Sequence, residues 1–365
     1  MFVRISSFLL SLLFSLSIVG VASAAEPMTR DRAAAIIGEV RRITSPNGID
    51  EARAVEIGGI RQWITVRGKD RSNPILLVIH GGPASPELSN RWLFEDPWTD
   101  YFTVVEWDQR GAGKTYGLND PAAVGPTITK ERMIEDAEEL TALLRKTYDR
   151  PKIFVMAHSW GTIVGLNLAQ RHPDWLYAYV GVGQMINSRE AEKIGYDFAL
   201  DAARADHNSE AVKELTAIAP YPAADGEITL EGIGTQRKWN LYYGGLTYGR
   251  NSYAFWDRAQ ALSPDYSAED VANIDKGSAL SLPRLLPELT TVNFDGVRRL
   301  DCPVVMFAGR HDYTTPSVLV ERWVRRVKAP PKKLVWFENS AHMLWAEENG
   351  KVLVHLVQDV LPYAK

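Results

Sequence analysis

Two periodicities alternate along this chain. Runs of five to seven mainly apolar residues occur at 74–79, 102–107, 152–157, 176–182, 303–308 and 333–337, the lengths of strands buried on both faces. Between them, apolar residues recur at helical spacing. Ile134, Ala137, Leu140, Leu144 and Tyr148 mark a crossover helix over 128–148. Val352, Leu353, Leu356, Val357 and Val360 stripe a last helix that ends near Leu361. Another helix starts near Trp160 and stops at His172, because Pro173 follows. Helices are also expected near 29–43 and 316–327, and residues 52–67 form a hairpin turning at Gly58-Gly59. Strands alternating with helices predict an α/β fold with a mostly parallel sheet covered on both faces.

The alternation stops over residues 185–290. That stretch is rich in acids, Gly, Tyr and Trp, and reads as helices and irregular segments without strands. We expect a core of residues 25–184 and 291–365, with 185–290 inserted as a mainly helical cap over the strand ends. No internal repeat or low-complexity tract is visible.

The first 24 residues belong to a different pattern. Arg4 precedes an apolar run to about Ala22, and Ala22-Ser23-Ala24 is a small-residue cleavage site, the layout of a secretory signal peptide. An uncleaved membrane anchor is the alternative reading. Cleavage would leave an exported protein with no stable membrane insertion, secreted or, in a Gram-negative cell, periplasmic.

Composition narrows the chemistry. Of 365 residues, 45% are hydrophobic and 24% charged, as in soluble globular proteins. A net charge of −4 without a long basic stretch argues against a nucleic-acid partner. The single cysteine, Cys302, excludes an intrachain disulfide and a cysteine-based metal cluster.

One short stretch suggests a nucleophile. Ala157-His-Ser159-Trp-Gly161 joins an expected strand to an expected helix. A serine on so tight a turn needs small residues two before and two after it, and the turn exposes its hydroxyl. An ordinary helix-capping serine is the alternative. A serine attacks only if a base takes its proton and an acid orients that base. Asp312 follows the strand at 303–308, and His342 follows the strand at 333–337, in the chain order serine, acid, histidine. Loops beyond the carboxyl ends of parallel strands are where such sheets bind ligands.

The other histidines fit less well. His311 is the rival base. His158 is expected to point away from the site, His172 to cap a helix end, and His355 and His207 to face solvent. Donors for a tetrahedral oxyanion would be the backbone N–H of Trp160 and of Gly82 in His80-Gly-Gly-Pro83. Asp108–Thr115 ends in Gly-Lys-Thr like a phosphate loop, but has Asp108 where that loop needs glycine. The chemistry requires no cofactor and no metal.

Taken together, HGGP (80–83), DQRGAG (108–113), AHSWG (157–161), His172-Pro173, GRHDYTTP (309–316) and SAH (340–342) resemble the α/β-hydrolases, and among them the proline iminopeptidase group. The resemblance runs from about residue 52 to the C-terminus and is weakest in the cap. It implies an α/β-hydrolase fold and the catalytic residues Ser159, Asp312 and His342, with Gly82 and Trp160 as oxyanion donors. It also implies that Asp108 and Arg110 hold loops near the site.

Three departures stand out. Ala157 and Ala84 replace glycines usual in the family. In the cap, the family carries Trp-x-x-Trp-Glu-Gly, whose glutamate grips the free amino end of a peptide; this chain has Trp239-Asn-Leu-Tyr242-Tyr243-Gly244. Tyr243 cannot supply that charge, which Glu190, Glu192 or Asp197 could replace. Trp239, Tyr242, Tyr243 and Glu190 are the candidate substrate contacts. Together with Tyr196, Tyr253 and Trp256, the aromatics suggest a mostly apolar pocket.

Three readings stay open: a peptidase removing an N-terminal residue from a short peptide, an esterase, lactonase or small-amide hydrolase, and a silent scaffold that binds a ligand. In the first two, the partner is a small molecule or short peptide. Oligomeric state is not legible.

Overall fold

The computed structural model describes residues 27–364; the leader expected over 1–24 lies outside the described residues. After helix α1 (Arg30–Val40) come strands β1 (Ile49–Ile57), β2 (Ile60–Gly68), β3 (Ile75–Ile79) and β4 (Thr103–Asp108). Short helices α2 (Gly113–Gly117) and α3 (Pro121–Val124) lead to α4 (Lys130–Thr147), β5 (Ile153–His158), α5 (Gly161–Arg171) and β6 (Leu176–Val182). Then α6 (Ser188–Ala205), α7 (Ser209–Ala217), α8 (Leu230–Tyr242), α9 (Ala254–Gln260) and α10 (Ala268–Leu289) follow without a strand. The chain closes with β7 (Val304–Gly309), α11 (Ser317–Arg326), β8 (Lys332–Phe337), α12 (Leu344–Glu347) and α13 (Asn349–His355).

The strands form one eight-stranded sheet in the order β1-β2-β4-β3-β5-β6-β7-β8. From β4 to β8 every pairing is parallel, and the β1–β2 hairpin is added antiparallel to β4. Its turn is at Gly58-Gly59 as expected, with φ of 55° and 73°, which glycine adopts freely and which matches strand twist. Strands β3 to β8 coincide with the apolar runs to within about one residue at each end.

The apolar runs are continuous because both faces of the sheet are covered. Along β3, Ile75, Leu77 and Ile79 pack on one side with Leu140 of α4, Ile163 of α5 and Trp323 of α11. Leu76 and Val78 pack on the other with Trp98, Phe307 and Trp345. No described helix is long and apolar enough to cross a membrane.

The last helix forms over the expected stripe, α13 continuing into a wider helical turn at Leu356–Val360. Val352, Leu356 and Val360 are buried as the stripe requires. Ahead of the stripe, Glu348 leaves the helical region at φ −130° and ψ 49° and separates α12 from α13. There the side chains turn back toward the loop after β8: Glu348 Oε2 accepts from Asn339 N–H at 3.0 Å, and Glu347 Oε2 accepts from Ala341 N–H at 3.0 Å.

The segment between β6 and β7 leaves and rejoins the sheet at one point. Ser188 N–H donates to Val292 O at 3.0 Å, and Phe294 N–H to Ile186 O at 2.7 Å. Its helices have a separate apolar centre that includes Tyr196, Leu215, Tyr221 and Trp239.

Candidate active site

Strand β5 ends at His158 and helix α5 begins at Gly161, leaving Ser159 and Trp160 to make the turn. Ser159 has φ +51°, a left-handed conformation that costs a non-glycine residue about 1–2 kcal/mol. Its N–H donates to Val182 O at 3.0 Å, which anchors the turn to β6. The small neighbours have specific reasons. A Cβ on Gly161 would lie 2.2 Å from the carbonyl oxygen of Ile79 and 2.5 Å from that of His80, so glycine lets α5 start against the end of β3. Ala157 faces Gly165 of α5, where a Cβ would come within 2.8 Å of the alanine methyl.

The loop after β3 lies over this turn. A side chain at Gly81 would reach within 3.1 Å of Ser159 Cβ, and Gly82, with φ +112°, borders the same cleft as Ser159 and Trp160. His80 Nε2 accepts from Gln109 N–H at 3.1 Å, so its proton is on Nδ1, which donates to Gly81 O at 2.8 Å. Burial holds the His80 pKa below its ordinary value. Gln109 also donates to His80 O at 2.8 Å and accepts from Trp160 Nε1 at 3.2 Å. One side chain thus couples the Gly82 loop to the serine turn, a role the sequence reading did not assign.

Asp312 and His342 meet beyond β7 and β8. His342 Nδ1–H donates to Asp312 Oδ2 at 2.8 Å, and both residues are buried. Asp312 Oδ1 accepts the N–H groups of Thr314 and Thr315, each at 2.8 Å, and Thr315 Oγ1 donates to Oδ2 at 2.9 Å. The carboxylate is therefore oriented on both oxygens. Two more glycines make room: a Cβ on Gly183 would meet His342 Cε1 at 2.8 Å, and one on Gly309 would meet Ala341 O at 1.8 Å. Ser159 and His342 share the wall of one chamber.

The inserted segment is tied to both loops. Tyr313 N–H donates to Gly245 O at 3.0 Å, His342 N–H to Leu246 O at 3.1 Å, and Asn240 Nδ2 to Tyr313 O at 2.7 Å. These backbone contacts at Gly245 and Leu246 left no signal in residue type.

Two histidines are placed differently from expectation. His158 does not point away: its buried ring lies 4.6 Å, centroid to centroid, from that of His342. Nδ1 donates to Glu87 Oε1 at 2.7 Å, and Nε2 lies 3.2 Å from His342 O. Burial lowers its pKa. His355 is half-buried rather than solvated, edge-on to Phe307 and Phe337, with Nδ1 2.6 Å from Asp359 Oδ2. His311, the rival base, stacks on Tyr248 in a surface hollow, His172 stacks on Trp175, and His207 is exposed.

The DQRGAG turn is structural throughout. Asp108 Oδ2 accepts from Lys114 N–H at 2.7 Å and from Tyr266 OH, and burial raises its pKa to about 7. Lys114 Nζ is held by Asp270 Oδ2 at 2.8 Å, so the apparent phosphate loop has its lysine committed to α10. Arg110 binds Asp136 of α4 and Gly58 O of the hairpin turn.

The candidate substrate contacts do not reach Ser159. Trp239 is buried inside the inserted segment, its Nε1 donating to Glu214 Oε2 at 2.8 Å. Tyr242 and Tyr243 border a separate open hollow of about 550 Å³ with Phe198, Tyr248 and His311. Glu190 pairs with Arg322 at the surface, and Asp197 with Lys193. Of the acids considered, Glu192 alone lines the cleft. Its Oε2 accepts from Tyr221 OH at 2.7 Å and from Arg237 Nη1 at 3.1 Å, and Arg237 Nη2 donates to Oε1. The signal for Arg237 was absent because a lone helical arginine usually faces solvent.

Known proteins agree with this architecture. A probable aminopeptidase of Bacillus subtilis, YbaC, is 29% identical over 298 residues, 81% of this chain and 92% of its own length. A proline iminopeptidase of Neisseria gonorrhoeae is 24% identical over 79% of this chain and 88% of its own. The crystal structure of a proline iminopeptidase-related protein from Thermus thermophilus superposes with a TM-score of 0.59 at 19% identity, covering 86% of this chain and 99% of that one. The family model described as alpha/beta hydrolase matches residues 75–356, from the first parallel strand to beyond the His342 loop. That span takes in the serine turn and the acid and histidine loops, so the chain belongs to the alpha/beta hydrolase family and is a hydrolase resembling the proline iminopeptidases.

Proposed function

We propose that this protein is a serine hydrolase that transfers an acyl group from a small amide or ester to water. The observation that carries this reading is the buried Asp312–His342 pair, 2.8 Å apart, opening on the same chamber as the strained Ser159. His342 Nε2 takes the hydroxyl proton while Ser159 Oγ bonds to the substrate carbonyl carbon. The N–H groups of Gly82 and Trp160 hold the oxyanion. Collapse breaks the bond to the leaving group, which receives the proton from Nε2; water then repeats the sequence, releasing the acid and restoring Ser159. Asp312 holds the imidazole in position and stabilises it while charged.

Cleavage of an N-terminal residue from a peptide is the second reading. It is favoured by the names of the relatives, an aminopeptidase and a proline iminopeptidase. We also take residues 185–290 as the cap of this enzyme and residues 1–24 as an export signal, so that the protein acts outside the cytoplasm. N-terminal sequencing of the protein recovered from cell fractions tests the export.

A tagged fluorophosphonate tests the central claim. It should label the wild type at Ser159, and Ser159→Ala should lose both the label and p-nitrophenyl acetate hydrolysis. A folded wild type that stays unlabelled at Ser159 would overturn the reading.

A further inference from the structure

The cleft at Ser159 has two chambers, one mainly aliphatic and one of mixed lining. The larger, about 350 Å³, runs between α8 and α10 and is walled mainly by Met185, Ile228, Ile233, Leu282, Leu286 and Leu289. The smaller, about 180 Å³, is lined by Glu87, His158 and His342 and also by Leu246, Trp256 and Met343. Gly82, Ser159, Arg237 and Thr314 border both, so a substrate carbonyl at Ser159 would have one substituent in each.

Proton transfer decides which substituent goes where. The departing group must collect its proton from His342, which borders the smaller chamber and not the larger. The acyl part stays bonded to Ser159 and must occupy the aliphatic chamber. The two charged side chains of that chamber neutralise each other: both oxygens of Glu192 already accept from Arg237, and Oε2 accepts from Tyr221 as well. An ammonium on the acyl group would have to displace Arg237 to reach a carboxylate. The small chamber is different, because Ser85, Glu87 and His158 border it beside His342. A small leaving group with polar atoms meets matching groups there.

Building on the serine-hydrolase reading, we propose that the substrates are esters or amides of uncharged aliphatic acids. The acyl chain lies between α8 and α10, and a small polar group departs past His342 and Glu87.

Isomeric esters test the assignment directly, because they differ only in which side of the carbonyl carries the chain. Ethyl hexanoate should exceed hexyl acetate in kcat/KM by at least about tenfold, since each buried methylene is worth about fourfold. Methyl 4-methylpentanoate should exceed leucine methyl ester, which adds only the ammonium, by a similar factor. Leu282→Trp, which narrows the large chamber, should move the preferred acyl length to shorter chains. Equal or reversed rates in either ester pair, or no turnover of any of the four, would overturn the assignment while Ser159 still takes the fluorophosphonate. Failure of that labelling in folded protein removes the serine-hydrolase reading and the acyl assignment together.

Discussion

The loops at the carboxyl ends of β5, β7 and β8 and the helices between β6 and β7 build the same cleft by different means. Around Ser159, Asp312 and His342 the constraints are backbone ones. Gly161 exists because of the carbonyl oxygens of Ile79 and His80, Gly183 because of the His342 ring, and Gly309 because of Ala341 O. In the inserted helices the deciding contacts are between side chains far apart in sequence, such as Glu192 with Tyr221 and Arg237. Backbone constraints leave a residue-type signature at fixed positions. Side-chain pairings of this kind leave none, since an acid and an arginine separated by dozens of residues have many candidate partners.

The largest expected effect lies on the backbone side. Gly161→Ala forces a methyl to within 2.2 Å of Ile79 O. It should destabilise the fold by about 3 kcal/mol. Displacing the serine turn should also cut turnover on the order of a hundredfold. Denaturant melts and ester kinetics measure the two; wild-type values in both would mean the turn has slack that the contact distances deny.

Next comes the inserted segment. Arg237→Gln frees the Glu192 carboxylate, so the ratio of leucine methyl ester to methyl 4-methylpentanoate turnover should rise about tenfold. An unchanged ratio would show that the ion pair does not set the charge preference of the acyl chamber.

Asp108, at the end of β4, is tied to the inserted segment through Tyr266, and burial raises its pKa from 3.8 to about 7. The unfolded chain therefore releases this proton at lower pH than the folded one. Between those values folding takes up a proton, so this group's contribution to stability falls as pH rises and levels off above about 7. Asp108→Asn should flatten that part of the Tm-against-pH curve; an identical slope in the variant would assign it to other groups.

The smallest effect is expected at Tyr243, where the chain departs from the family motif. Tyr243→Glu restores the amine-gripping residue in sequence, yet Tyr243 borders the outer hollow and not the cleft. Ester and aminoacyl turnover should each change by less than about twofold. A large gain in aminoacyl cleavage would mean that α8 presents its C-terminal end to Ser159 during turnover.

Much of the fold was legible in the pattern of the chain. The six apolar runs became β3 to β8, and the Gly58-Gly59 hairpin formed where its turn residues placed it. The loops bearing Ser159, Asp312 and His342 could also be read, because a strand, a tight turn and a helix in series leave few arrangements. The environments of His158 and His355 could not. Each ring is covered by a residue distant in sequence, Trp345 against His158 and Phe307 against His355. The Trp239-to-Gly244 stretch misled for a related reason: its similarity to the family motif is local, whereas the direction of each side chain depends on how α8 docks.

What the sequence determined by itself is the chemistry available: a serine on a strained turn, an acid and a histidine at the ends of later strands, and glycines where backbones must approach. Those features arise from contacts within a turn or between adjacent strands, whose spacing along the chain is nearly fixed. Only the tertiary structure decided what surrounds that chemistry. It set an aliphatic chamber on one side of Ser159 and one of mixed lining, beside His342, on the other, and it neutralised Glu192 with Arg237. Packing between helices of the inserted segment and the sheet brings those residues together, and that packing has no period along the chain.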